Sequence, residues 1–173
     1  MTTEVTDEFT ASLSELPVEW TRIETGAFEA TLAEVVTPPV VGSELPFEGV
    51  SLAALDDPEV TREPTLAELR AAHTGVTAAE LGVADYGSVL LRSDRTPLTE
   101  PASLFVEEHV AVLAESDLHP DMGAALDDLG PTLREEGASA VLATGPSATA
   151  DMGELVLGAH GPETVHVVVL TDR

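Results

Sequence analysis

The sequence predicts an α/β fold, with a parallel or mostly parallel sheet covered by helices. Three observations carry this. Segments with apolar residues at helical spacing alternate along the chain with short β-forming apolar runs. The run Ser139–Thr144 is followed by a small-residue loop, then by Met152, Leu155 and Val156 at helical spacing, then by a glycine turn and the run Thr164–Leu170. That is the order of a βαβ unit, whose two strands are parallel and joined by a right-handed crossover. A hydrophobic content of 43% over 173 residues suffices for one core, and no internal repeat or low-complexity segment divides the chain.

From the N-terminus, Phe9, Leu13 and Leu16 predict an amphipathic helix ending at Pro17. Val18 to Ile23 reads as a strand. Phe28, Leu32, Val35 and Val36 predict a second helix, stopped by Pro38-Pro39. Val40 to Pro64 is rich in Pro, Gly and Asp with little periodicity, and reads as a long ordered loop or connecting arm. Leu66 and Leu69 mark a short helix. Gly87 to Arg92 and His109 to Ala114 read as buried strands. Met122, Ala125, Leu126, Leu129 and Leu133 form one helix face, which Gly130-Pro131 should kink or split because Pro131 cannot donate back to Asp127.

The charge is extreme, with 32 Asp plus Glu against seven Arg and no Lys, a formal net charge of −25. Such a surface repels itself at low ionic strength and is screened in molar salt, which points to a protein adapted to high intracellular salt, the alternative being an acidic surface selected for a basic partner. The acid is spread along the chain rather than massed in a tail, and it argues against nucleic acid or anionic membranes as partners. There is no cysteine, so thiolate-held iron–sulfur clusters, disulfides and thiol nucleophiles are excluded on this chain. The acidic N-terminus lacks an apolar signal core and the apolar runs are far shorter than the ~20 residues of a membrane helix, so a soluble cytoplasmic protein is expected.

The loop Gly145-Pro146-Ser147-Ala148-Thr149-Ala150-Asp151 would open the predicted helix. Helix starts favour anions through exposed N–H groups and the dipole. Gly145, Ser147 and Thr149 are therefore candidate ligand-binding residues, alongside the simpler role of Ser147 and Thr149 as helix caps. Gly87 and Ser88 join them, because a glycine at a strand start signals close approach of a ligand or of another element. Asp151, in the expected first helical turn, and His160, in the turn Gly158-Ala159-His160-Gly161-Pro162, are candidate acid–base groups. The expected crossover argues against a Ser147–Asp151–His160 triad, since it would put the two motifs at opposite edges of the sheet. His109 opens a strand beside Glu107-Glu108 without a second histidine at ligand spacing, so no metal site is expected. His166 reads as a core residue, and His73 and His119 carry no motif. Tyr86 could stack on a ligand or fill the core. No lysine-bearing phosphate loop and no dinucleotide fingerprint is present.

These residues also carry a resemblance. The G-P-S-x-T-A-D and G-x-H-G-P motifs with the apolar strand that follows, Gly75-Val76-Thr77, Ala84-Asp85-Tyr86-Gly87-Ser88 and His109-Val110-Ala111-Val112 resemble, in this order, the lactate utilisation protein C family, or LUD domain. Tyr86 and Ser88 replace two threonines of the family pattern, and Ala148 stands where an arginine is common. The resemblance is strongest over residues 75–173. It implies a single LUD-like α/β domain over 1–173 with an abbreviated N-terminal part, of a halophilic archaeal type. The implied fold has three layers, similar to the sugar-phosphate isomerase and CoA-transferase group. The implied function is that of an accessory or subunit of an L-lactate-oxidising system, with no cofactor on this chain and with redox centres in iron–sulfur partner subunits. The alternatives are a stand-alone enzyme acting on a small carboxylate, acyl thioester or sugar phosphate, and a non-catalytic anion-binding scaffold.

Overall fold

A computed structural model describes residues 2–55, 57–92, 97–151 and 154–173. Twelve strands and five α-helices are present among them. Helix α1 (Thr2–Glu15) is followed by β1 (Glu19–Ile23) and α2 (Phe28–Val35). Then come β2 (Val40–Gly42), β3 (Val60–Thr61), α3 (Leu66–Ala71), β4 (Thr74–Ala78), β5 (Leu81–Val83) and β6 (Ser88–Arg92). Helix α4 (Thr99–Leu104), β7 (Glu108–Ala114), β8 (Leu118–His119) and α5 (Met122–Glu136) precede β9 (Ala140–Thr144), β10 (Ala148–Asp151), β11 (Glu154–Leu157) and β12 (Thr164–Leu170).

The centre is a six-stranded sheet in the order β1-β12-β7-β4-β2-β3, parallel throughout. Its middle strands are apolar on both faces, as burial on both sides requires. On one face Val110 and Val112 of β7, Val76 of β4 and Val168 and Leu170 of β12 pack under Phe28 and Leu32 of α2 and under Leu45, Val50, Leu52 and Leu55 of the 40–64 segment. On the other face Ala111 and Leu113 of β7 and Val165, Val167 and Val169 of β12 meet Phe9 and Leu13 of α1 and Val89 and Leu91 of β6. Strand β6 belongs to a four-stranded sheet of order β8-β5-β6-β9, in which β6 runs antiparallel to β5 and β9. Helix α5 covers the outside of that second sheet, with Ala125 and Leu129 on Leu81, Val83 and Leu90.

The α/β class, the first three helices and the strands at 19–23, 88–92 and 108–114 agree with the sequence expectation. Four features differ. The 40–64 segment is not only an arm, because it contributes β2 and β3 to the main sheet. Helix α5 runs unbroken from Met122 to Glu136 with Pro131 inside. Burial of Leu129 before the proline, and packing of Leu133 after it on the same cluster, hold both halves against the second sheet. Strands β9 and β12 lie in different sheets. The expected helix between them is replaced by an antiparallel hairpin of β10 and β11, in register Ala148↔Leu157 to Asp151↔Glu154. Among the described residues no helix is long and apolar enough to cross a membrane.

Candidate functional site

The glycines singled out at 87 and 145 serve packing. Ser88 is paired with Thr144 across β6 and β9, its hydroxyl 2.6 Å from that of Thr144, and it is fully buried. Gly87 (φ 59°) and Gly145 (φ 69°) both adopt the left-handed region that favours glycine. Both lie under the last turn of α1. A Cβ at Gly87 would stand 3.0 Å from the Leu13 nitrogen, and one at Gly145 3.3 Å from the Leu16 carbonyl oxygen. The close approach read at Gly87 is thus to another element of the chain.

Past Gly145 the structure removes the helix start on which the anion reading rested. The Ser147 N–H donates to the Pro162 carbonyl at 2.8 Å, and the Gly158 N–H donates to the Ser147 carbonyl at 2.9 Å. A Cβ on Gly161 would come within 3.2 Å of the Ser147 Cβ. The two glycine-containing motifs therefore meet at the hairpin base, where the sequence expectation had placed them at opposite edges. The geometry explains the correction. The chain must return to its starting point between Ser147 and Pro162, and a helix of ten residues would end about 15 Å away. The backbones of Ser147 and Asp151 nonetheless stand apart. Four extended positions separate them, about 13 Å. Ser147 and Thr149 are half-buried and His160 is exposed. The side chain of Asp151, and Met152 altogether, lie outside the described residues. Tyr86 is 52% exposed, so it does not fill the core.

The motif hairpin stands at the amino edge of the parallel sheet, where the Glu163 and Thr164 N–H groups both donate to the Glu107 carbonyl ahead of β7. The carboxyl edge is different in kind. From β2 the chain moves outward to β3, whereas from β4 it moves the other way, to β7 and then β12. The β2/β4 boundary is therefore a topological switch point, the place where open α/β sheets bind ligands. A cleft of about 270 Å³ lies there, lined by Glu44, Ala79, Glu80, Arg92 and Thr99 among others. Arg92, at the end of β6, is 4% exposed. Its guanidinium lies 3.6 Å from the Glu80 carboxylate and 2.5 Å from that of Glu136. With Glu44 and Glu80 against Arg92 in its lining, the cleft is net acidic among the described residues. The sequence reading passed over Arg92 as the end of a strand. Its signal was a charged residue at the end of an otherwise apolar run.

Four of the five histidines have partners within the protein. His109 is 2% exposed, its Nε2 2.8 Å from the Thr77 hydroxyl, and burial pushes its pKa down to about 4. His166 sits in β12 with Nε2 2.8 Å from the Thr21 hydroxyl, and burial also lowers its pKa, against the pull of Glu19 and Glu108. His73 pairs with Glu107 and His119 with Asp128, both at 3.3 Å. Among the described residues no group of three or more His, Asp or Glu side chains is arranged to hold a metal.

The depressed pKa of His109 makes a testable prediction. Between about 4 and 6.5 the unfolded chain binds a proton that the folded chain rejects, so stability is full above pH 6.5 and falls as pH drops towards 4. The loss from His109 is on the order of 3 kcal/mol. His109→Gln, which cannot charge, should flatten this limb in urea titrations at pH 7.5 and 4 under constant salt. Equal pH dependence in both proteins would show that His109 does not set it.

The LUD domain family model matches residues 21–170. The chain belongs to the LUD domain family. This LUD-domain chain is 29% identical over 119 residues to Lactate utilization protein C of Bacillus subtilis, covering 64% of this chain and 48% of that protein. The protein of the same name from Bacillus velezensis is 29% identical over 135 residues, covering 75% of this chain and 54% of the relative. The one from Macrococcus caseolyticus is 27% identical over 106 residues, 59% of this chain and 46% of the relative. The chain thus spans about half the length of the curated relatives it matches. A crystal structure of a DUF162 family protein from Deinococcus radiodurans superposes with a TM-score of 0.75 at 18% identity, over 99% of each chain. At that identity the likeness speaks for the LUD-domain fold alone.

Proposed function

We propose that this LUD-domain chain serves lactate utilisation as a subunit or accessory without a redox centre of its own, beside partners that carry iron–sulfur clusters. The family membership and the names of the relatives supply the context. The observation that carries the division of labour is the complete lack of cysteine, which leaves no thiolate to ligate a cluster. The acidity of the switch-point cleft adds support, because Glu44 and Glu80 outweigh Arg92 in its lining and disfavour a bound lactate anion.

The experiment is purification of the native protein from its host in high salt. Iron–sulfur subunits should accompany it, and the isolated chain should bind no iron and reduce no dye with lactate. Lactate-dependent dye reduction by the chain alone, free of other subunits, would remove the accessory reading. A stand-alone enzyme is the second reading, favoured by the cleft at the switch point. It fits an anionic carboxylate, thioester or sugar phosphate less well for the same electrostatic reason.

A further inference from the structure

Several buried hydroxyls among the described residues are bonded. Thr77 meets His109, Ser88 meets Thr144, Thr74 donates to the Thr37 carbonyl, and Ser103 donates to the Glu100 carbonyl. Ser43 differs. It is 1% exposed, and its hydroxyl has no hydrogen-bond partner among the described residues. Its backbone is fixed, since the Ser43 N–H donates to the Val76 carbonyl at 2.9 Å and so extends β2 along β4 by one residue. A buried hydroxyl held in place without a partner calls for an explanation, and a ligand is one that the surroundings support.

Ser43 lines a second opening on the carboxyl edge, a groove of about 890 Å³ over the ends of β2 and β3. Its far wall is the 50–52 segment, held close to β2, where a Cβ on Gly42 would meet the Leu52 side chain. Among the described residues, Glu44, Glu59, Glu63 and Glu68 line it against one cation, Arg62. The Glu68 carboxylate accepts from the Thr65 N–H and hydroxyl, both at 2.7 Å, which holds it ionised. A lining of this sign repels anions and concentrates cations. Among the described residues the carboxylates are not clustered for a metal, whereas the separate N–H groups of an organic amine can reach the Ser43 oxygen and carboxylates spread along the groove.

We propose that the groove over the carboxyl ends of β2 and β3 binds a small organic cation, an amine whose N–H groups are shared between the Ser43 hydroxyl and the glutamates of the groove. Ser43 is then the group that distinguishes specific binding from the general attraction of an acidic protein for cations.

Three four-carbon compounds of like length separate the possibilities: putrescine, 1,4-butanediol and succinate. They are titrated calorimetrically into the full chain at one ionic strength, in KCl at which it is folded. Putrescine should bind at least tenfold more tightly than butanediol, and succinate should not bind. Ser43→Ala should weaken putrescine at least fivefold without lowering the melting temperature, because no native hydrogen bond is lost. Glu63→Gln, on the exposed wall, should weaken it as well, while Glu8→Gln on α1 should leave it unchanged. The proposal is overturned if succinate or butanediol binds as well as putrescine, if Ser43→Ala leaves the affinity intact, if Glu8→Gln weakens binding as much as Glu63→Gln, or if Ser43→Ala melts lower, which would make the hydroxyl structural.

Discussion

In dilute buffer the protein should lose most of its far-UV circular dichroism, and molar KCl should restore it. The chain carries 32 carboxylates and seven arginines. Three of those arginines are committed to neighbouring acids, Arg22 to Glu115, Arg92 to Glu80 and Glu136, and Arg173 to Asp172. Most carboxylates therefore have no arginine to pair with. Two like charges ~8 Å apart in water repel by about 0.5 kcal/mol unscreened. Roughly a dozen such pairs would consume about 6 kcal/mol, on the scale of a whole domain's stability. At 1 M salt the Debye length of ~3 Å reduces each pair to about a tenth of that. An equally stable, equally cooperative fold in dilute buffer would remove this account of the acidic surface.

The second large effect concerns Gly75. It sits in β4 opposite Val41 of β2 and His109 of β7, directly beneath α4. A Cβ there would stand 1.8 Å from the Ala102 carbonyl oxygen, which is backbone and cannot swing aside. Gly75→Val should push α4 off the sheet and disturb Val41, Leu69 and Val106, which pack around Ala102. The expected cost is about 3 kcal/mol or more. Gly26→Ala, where an added Cβ meets nothing within 4 Å, is the control and should change stability little. Denaturant titrations in constant molar KCl compare the two. Similar midpoints for Gly75→Val and the wild type would contradict the tight seat of α4.

Much of the main sheet could be read from the chain because its strands are apolar on both faces and bounded by turn residues, as Val110 to Ala114 and Val165 to Leu170 illustrate. Helices α1, α2 and α5 announced themselves through single apolar stripes. The hairpin could not be read this way. Met152, Leu155 and Val156 fit helical spacing, and only the closure between Ser147 and Gly158, a contact eleven positions apart, decides for strands. Strands β2 and β3 were hidden for another reason. Each offers two or three residues, too few for any periodicity, and their place is set by β4 beside them. The carboxyl-edge openings escaped because Ser43 and Arg92 matter through position at the switch point, which no local pattern encodes.

The order of strands also governs how the chain can be made. Strand β12 lies between β1 and β7, so a strand synthesised after both of them is inserted between them in the main sheet. Until residues 164–170 leave the ribosome, β1 and β7 both lack the strand that joins them. Pairing Glu19 with His166 spans most of the sequence, and contacts so distant are entropically slow to form. A nascent chain must therefore wait with two exposed strand edges, a state prone to aggregation in most proteins. Its dense negative charge keeps waiting chains apart from one another, so the acidity that burdens the finished fold in dilute solution protects it during vectorial synthesis.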